Sequence, residues 1–212
     1  QAALEEGLDA AWAGQDEDLA ALRRDARWPA VRQFLGFSDR YWAEHGQPAT
    51  TLVVPDDYDP DADDPLWAVV WLHGHSSNPQ NFVDPEEGGL CQELADELDV
   101  AFLGVSGTVP RGKSRFVWAE DPARDLARVE AALAEVADEL KVRPAGLIAL
   151  GFSQGGQVGL ELAARHPDRF AGAVVLSPGS ERTLLHAVKS PDALLRRRGF
   201  VIGCGAGEHP GN

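Results

Sequence analysis

The residues with the clearest chemical potential are Gly151-Phe152-Ser153-Gln154-Gly155-Gly156. A serine hydroxyl is a weak nucleophile unless a base takes its proton and its oxygen is held clear of the surrounding chain. Glycine two residues before and two after Ser153 provides that clearance, because neighbouring backbone passes too close there for a Cβ. The flanks fit the same geometry. Gly146 to Leu150 is an apolar run of strand type, and Gln157 to Arg165 keeps helical spacing. A serine on a sharp strand-to-helix turn also meets the positive end of the helix dipole, which favours developing negative charge. The bland alternative is a glycine-rich turn with an incidental serine. A phosphate-binding loop fits poorly, since no G-x-x-x-x-G-K-S/T run occurs.

A tetrahedral intermediate on Ser153 would need two N–H donors aimed at one oxygen. Gln154, the residue after the nucleophile, supplies one. The second is expected from His73-Gly74-His75-Ser76-Ser77-Asn78-Pro79, the loop that follows the apolar run Trp67 to Leu72. His75 is the first choice for that donor and Ser76 the next. His73 and His75 also read as a metal pair, which would need further ligands after later strands. Only Glu208 and His209 stand at such a place, and the serine reading is preferred, with no metal expected.

These residues require a scaffold that brings strand ends together. Near-continuous apolar runs at Trp67 to Leu72, Val100 to Val105, Gly146 to Leu150, Ala173 to Leu176 and Phe200 to Cys204 suit strands buried on both faces. Helical stretches are expected between them at about 86–98, 122–140, 154–165 and 181–197. The second is the clearest: Asp121 is a good N-cap, Pro122 suits the first turn, and Leu126, Val129, Leu133, Val136 and Leu140 form one stripe. Strand and helix alternate, so the fold class is α/β, a doubly wound, mainly parallel sheet with helices on both faces. A ligand site then lies at the carboxyl ends of the strands. Residues 1–48 read instead as a helical N-terminal extension, carried by Leu4, Leu8, Leu19, Leu22, Val31, Phe34 and Leu35.

The net charge of −15, from 34 acidic and 19 basic residues, disfavours nucleic acid and anionic membrane surfaces as partners. No apolar run approaches the ~20 residues that span a bilayer. The first twenty residues are acidic with no basic start, so no secretory leader is visible and cytoplasmic residence is the expectation. The chain starts at Gln1 and contains no Met, so its initiator is absent. Cys91 and Cys204 give neither a disulfide framework nor zinc-site spacing.

The segments HGHSSNPQNF, LGVSGTVPRG, VWAEDPARDL, GFSQGGQVGLELAARHPDRFAGAVVLSPG and VIGCGAGEHPGN resemble the phospholipase/carboxylesterase and dienelactone-hydrolase-like branches of the α/β-hydrolase superfamily. The resemblance runs from about residue 50 to the end and is strongest over 145–179. It implies an α/β-hydrolase domain over 49–212, a serine esterase reaction through an acyl-enzyme, a small-molecule ester substrate and no cofactor. By the family's order of serine, acid, histidine, Glu208 stands where the acid is expected, and a catalytic histidine is expected beyond Asn212, after one more helix and strand. His45, His166 and His209 are poor candidates for that base, and Asp168 and Asp192 read as surface carboxylates. Trp118 falls in the long loop after Val105 and is expected to line the substrate pocket, with plain packing as the equal alternative. The competing functions are a peptidase or thioesterase on the same scaffold, or a binding protein that has lost catalysis. Substrate identity and oligomeric state are not legible in these residues.

Overall fold

The computed structural model describes residues 10–62, 64–83, 91–119, 121–178 and 197–205. Helices come first: α1 (Ala10–Gln15), a 3-10 turn (Glu17–Leu19), α2 (Ala20–Arg23) and α3 (Trp28–His45). Pro29 sits in the first turn of α3, where its missing N–H costs nothing. This segment is tied to the rest by an ion pair at 3.1 Å between Asp39 on α3 and Arg111.

From residue 50 the chain alternates as its apolar runs require. β1 (Thr50–Val53) and β2 (Leu66–Leu72) are followed by α4 (Gln80–Val83), α5 (Cys91–Leu98) and β3 (Val100–Val105). A short hairpin of β4 (Val109–Gly112) and β5 (Arg115–Val117) precedes α6 (Pro122–Glu135). Then come β6 (Val142–Phe152), α7 (Gln154–Arg165), β7 (Phe170–Leu176) and β8 (Gly199–Gly203).

Six strands form one sheet in the order β1-β3-β2-β6-β7-β8. All neighbours are parallel except β1, which runs antiparallel to β3. Each face of the sheet is covered. Leu66, Ala68, Val70 and Leu72 of β2 pack with Leu103, Leu147, Val129 of α6 and Leu162 of α7. Val69 and Phe102 turn the other way, onto Cys91 and Ala95 of α5. This two-sided burial is why the strands read as unbroken apolar runs. Each fully buried Leu or Phe contributes about 1.5–3 kcal/mol relative to exposure. Among the described residues no helix is long and apolar enough to cross a membrane.

Several elements depart from the sequence expectation, β7 among them, which starts at Phe170 rather than Ala173. β6 starts at Val142 rather than Gly146, because its pairing with β2 is interrupted between Leu66 and Ala68, with Ala145 at φ 52°. Such a bulge hides the strand's first residues from any period-two reading. Regular helix in α6 ends at Glu135, not Leu140; the following turn is closed by the Leu140 N–H on the Val136 carbonyl, 2.9 Å. The β4–β5 hairpin was unforeseen, since Pro110 and Gly112 lie within a segment that reads as loop. The helix expected over 181–197 lies outside the described residues except for its last position.

Backbone crowding makes the fold sensitive at one glycine. A Cβ on Gly155 would stand 2.0 Å from the Leu72 carbonyl oxygen, whereas one on Gly14 would meet nothing within 4 Å. Gly155→Ala should therefore lower stability by about 1–3 kcal/mol or more, read as a reduced thermal midpoint. Gly14→Ala, within a helix, should leave it unchanged or raise it slightly.

Candidate active site

β6 delivers its last residue, Phe152, to the carboxyl edge of the sheet, and α7 starts two residues later. Ser153 bridges them with φ 53° and ψ −120°, a backbone conformation that costs a non-glycine residue about 1–3 kcal/mol. Surrounding bonds hold it there. The Ser153 N–H donates to the Leu176 carbonyl at 3.0 Å, and the Ser153 carbonyl accepts from Gln157 N–H at 3.1 Å. The flanking glycines are sterically required: a Cβ on Gly151 would lie 2.3 Å from the Gly155 carbonyl oxygen, and one on Gly155 would also lie 2.4 Å from that of His73.

The loop after β2 thus presses directly on the Ser153 turn. Gly74 adds to the contact, since its absent Cβ would stand 3.2 Å from the Phe152 ring. His75 follows on an exposed stretch of the same loop. Gln154 is the first residue of α7, where helix N–H groups have no partner within the helix. The two expected donor residues therefore belong to elements in mutual contact.

A network of hydrogen bonds locks this contact. The Trp118 indole N–H donates to the His73 carbonyl at 2.9 Å. The Trp118 backbone N–H donates to Gln154 Oε1 at 3.1 Å, and Gln154 Nε2 donates back to the Trp118 carbonyl at 3.3 Å. The Gln154 side chain is thereby a clamp on the loop that ends β5, a role its place in the motif did not signal. Trp118, expected to line the substrate pocket, is 2% exposed and lies in the main core. It packs and ties loops together, and presents almost no surface to a ligand.

His73 is likewise consumed by the framework. It is 1% exposed. The Gly107 N–H donates to its Nε2 at 2.8 Å, which leaves the proton on Nδ1, 2.7 Å from the Gly74 carbonyl. Burial lowers its pKa to about 4, with a smaller contribution from the nearby His75, against a raising effect of the Gly74 bond. A neutral imidazole with both nitrogens engaged has no lone pair for a metal, so the His73–His75 metal pair is not formed. Among the described residues no group of three His, Cys, Asp or Glu side chains converges as metal ligands.

A second buried group was missed from sequence. Asp125 on α6 is 1% exposed and accepts from Thr108 Oγ1 at 2.9 Å, while Thr108 accepts from the Ala119 N–H at 2.9 Å. Burial raises its pKa, against the lowering effect of these bonds. It anchors both ends of the segment that carries β4, β5 and Trp118.

The carboxyl ends of β7 and β8 complete the rim. Leu176 pairs with Gly203, and Ser177 N–H donates to the Gly203 carbonyl at 2.7 Å. Phe152 and Leu176 flank Ser153 and are 47% and 45% exposed. Glu208 and His209, which follow β8, lie outside the described residues. His166 caps the far end of α7, about 20 Å along the helix from Ser153.

The state of His73 has a measurable consequence. Its folded pKa of about 4 lies below the ordinary 6.5, so its contribution to stability is full above pH 6.5 and is lost as pH falls towards 4. The slope over that window is at most about 1.4 kcal/mol per pH unit. Denaturant midpoints measured from pH 7 to 4 should fall, and His73→Gln should flatten that part of the profile while starting from a lower stability at pH 7.

Residues 91–201 match the family model described as alpha/beta hydrolase fold. The probable feruloyl esterase C of Aspergillus niger is 30% identical over 129 residues, 61% of this chain and 46% of the relative. The putative esterase NocK of Nocardia uniformis subsp. tsuyamanensis is 44% identical over 52 residues, 24% of this chain and 15% of the relative. The chain spans about half the length of the feruloyl esterases it matches. A solved structure of a ferulic acid esterase superposes with a TM-score of 0.56 at 14% identity, covering 77% of this chain and 75% of the other, a likeness of fold. With a mainly parallel sheet, a strained serine at the β6–α7 turn and a family match across the turn and both its flanks, the chain belongs to the alpha/beta hydrolase fold family.

Proposed function

We propose that the protein is a serine hydrolase that cleaves carboxylic esters through an acyl-enzyme on Ser153. The observation that carries this reading is the Ser153 backbone, held at positive φ at the head of α7 by glycines whose Cβ atoms would collide with neighbouring chain. Such strain persists only where the surroundings over-determine it, and it holds a side-chain oxygen clear of the sheet.

In this mechanism Ser153 Oγ attacks the ester carbonyl as a histidine base takes its proton. The carbonyl oxygen becomes an oxyanion that accepts from the backbone N–H groups of Gln154 and His75. The intermediate collapses, the alcohol leaves with the proton, and water then releases the acid from Ser153. Glu208, which follows β8 in the sequence, orients the base. His73 cannot be that base, since its nitrogens are engaged and its pKa is about 4. His166 stands at the wrong end of α7. The exposed Phe152 and Leu176 beside Ser153 suit an apolar or aromatic acyl group. The feruloyl esterases among the relatives support the same class of acid.

An alkyl fluorophosphonate should label the protein at Ser153, located by peptide mass spectrometry. Ser153→Ala should abolish both labelling and turnover of short p-nitrophenyl esters. Turnover that survives Ser153→Ala overturns the mechanism, and labelling without turnover favours a scaffold that has lost catalysis. Glu208→Gln should lower kcat by about a hundredfold or more with little change in KM; an unchanged kcat removes Glu208 from the site.

A further inference from the structure

The loop after β2 places a buried imidazole next to a peptide with little restraint of its own. Gly74 follows His73 and is itself buried. A Cβ there would crowd the Phe152 ring at 3.2 Å, and the absence of one leaves the Gly74 backbone torsions without local preference. The peptide joining Gly74 to His75 therefore rotates unless something else holds it. Its orientation matters, because its N–H is the one assigned to the oxyanion. The C=O and N–H of a trans peptide share one plane and point in opposite directions. Whatever holds the Gly74 carbonyl also aims the His75 N–H.

His73 supplies that hold. Its Nδ1–H donates to the Gly74 carbonyl at 2.7 Å. The tautomer that permits this is set from the other side of the ring, where Nε2 accepts from the Gly107 N–H at 2.8 Å. The ring itself has no room to turn. It packs on Phe116 and Trp118, with centroids 6.3 and 5.5 Å away, and the Trp118 indole N–H fixes the His73 carbonyl at 2.9 Å. Beyond His75 the chain is constrained again, since Ser76 stands at φ 55°, a conformation that a non-glycine residue keeps only when its surroundings impose it. The Gly74–His75 peptide is thus held between two fixed points, and the imidazole is the one that sets its carbonyl.

We propose that His73 is a positioning residue for the reaction at Ser153: its Nδ1–H holds the Gly74 carbonyl and thereby aims the His75 N–H at the developing oxyanion. The proposal rests on the esterase reading, with His75 as an oxyanion donor. His73 touches no reacting atom and keeps its proton throughout. A purely structural His73 would cost activity only in step with stability. A positioning His73 separates the two, because its ring nitrogens do different things: Nε2 ties the loop to Gly107, and Nδ1 sets the peptide.

Two substitutions divide the nitrogens between them. His73→Asn keeps an N–H donor near the Nδ1 position and has nothing at Nε2, whereas His73→Gln keeps an acceptor near Nε2 and has nothing at Nδ1. With short p-nitrophenyl esters, His73→Gln should lower kcat by about a hundredfold, the loss expected of a misaimed oxyanion donor, and leave KM nearly unchanged. His73→Asn should recover about tenfold of that loss, the worth of one hydrogen bond. Stability should run the other way. Asn leaves the buried Gly107 N–H unpaired and a larger void, so its denaturant midpoint should fall below that of Gln. Phe170→Leu, at the amino end of β7 and away from the strand ends that carry the site, should lower the midpoint and leave kcat unchanged. Equal kcat losses in the Asn and Gln variants, losses that follow the midpoints, or losses carried by KM overturn the positioning role. If the wild-type protein neither cleaves esters nor takes a fluorophosphonate label, the esterase reading falls, and the carbon-13 shift of the Gly74 carbonyl decides the hold by itself. A shift kept in His73→Asn and moved in His73→Gln upholds it, and equal shifts in the two variants overturn it.

Discussion

The close approach of two backbones at Gly155 sets the rest of the site. The first turn of α7 is pressed so tightly against the end of β2 that a single methyl group on Gly155 would overlap the carbonyl oxygens of both Leu72 and His73. That contact fixes three things together. It forces the chain between β6 and α7 into the strained turn at Ser153, it sets α7 across the central strands, and it brings the loop carrying His75 alongside the serine. Moving the two backbones apart would relax all three.

Polar bonds hold what steric contact alone would leave loose. His73, Trp118 and Gln154 connect the end of β2, the end of β5 and the start of α7, and His73 reaches on to Gly107. Thr108 and Asp125 fix the same segment to α6. Each bond contributes only about 1 kcal/mol net, but leaving one of these buried groups unpaired costs more than the bond returns. The network therefore acts as a specification of geometry more than as a store of stability. It explains why an imidazole, an indole and a carboxylate are buried beside the site without taking part in its chemistry.

Two different surfaces lie on the elements around the site. The Phe152 and Leu176 side chains offer an apolar rim beside Ser153, and the loop after β2 lines a polar cavity with the β4–β5 turn. Both follow from strand ends. Phe152 and Leu176, the last residues of β6 and β7, are half exposed. The bridge from Ser77 to Phe116 sets the β4–β5 hairpin against the loop after β2 and places Lys113 and Arg115 beside that loop.

The sequence by itself determined whatever depends on neighbours along the chain. Glycine spacing around Ser153, the unbroken apolar runs of β2 and β3, and the Asp121-Pro122 start of α6 are all local signals, and the structure places each where its spacing requires. The tertiary structure decided what depends on residues distant in sequence. Trp118 and His73 carry functional side-chain chemistry on paper, yet burial against each other and the Gly107 amide turns both into framework. The bulge at the start of β6 arises from its pairing with β2, which no pattern within 142–152 encodes. The polar cavity exists only because a bridge brings residues 76–81 beside 113–115. Local spacing fixes backbone conformation because its causes are steric and short-range. Protonation state, burial and the walls of a cavity depend on which distant atoms exclude water, and only the folded chain settles that.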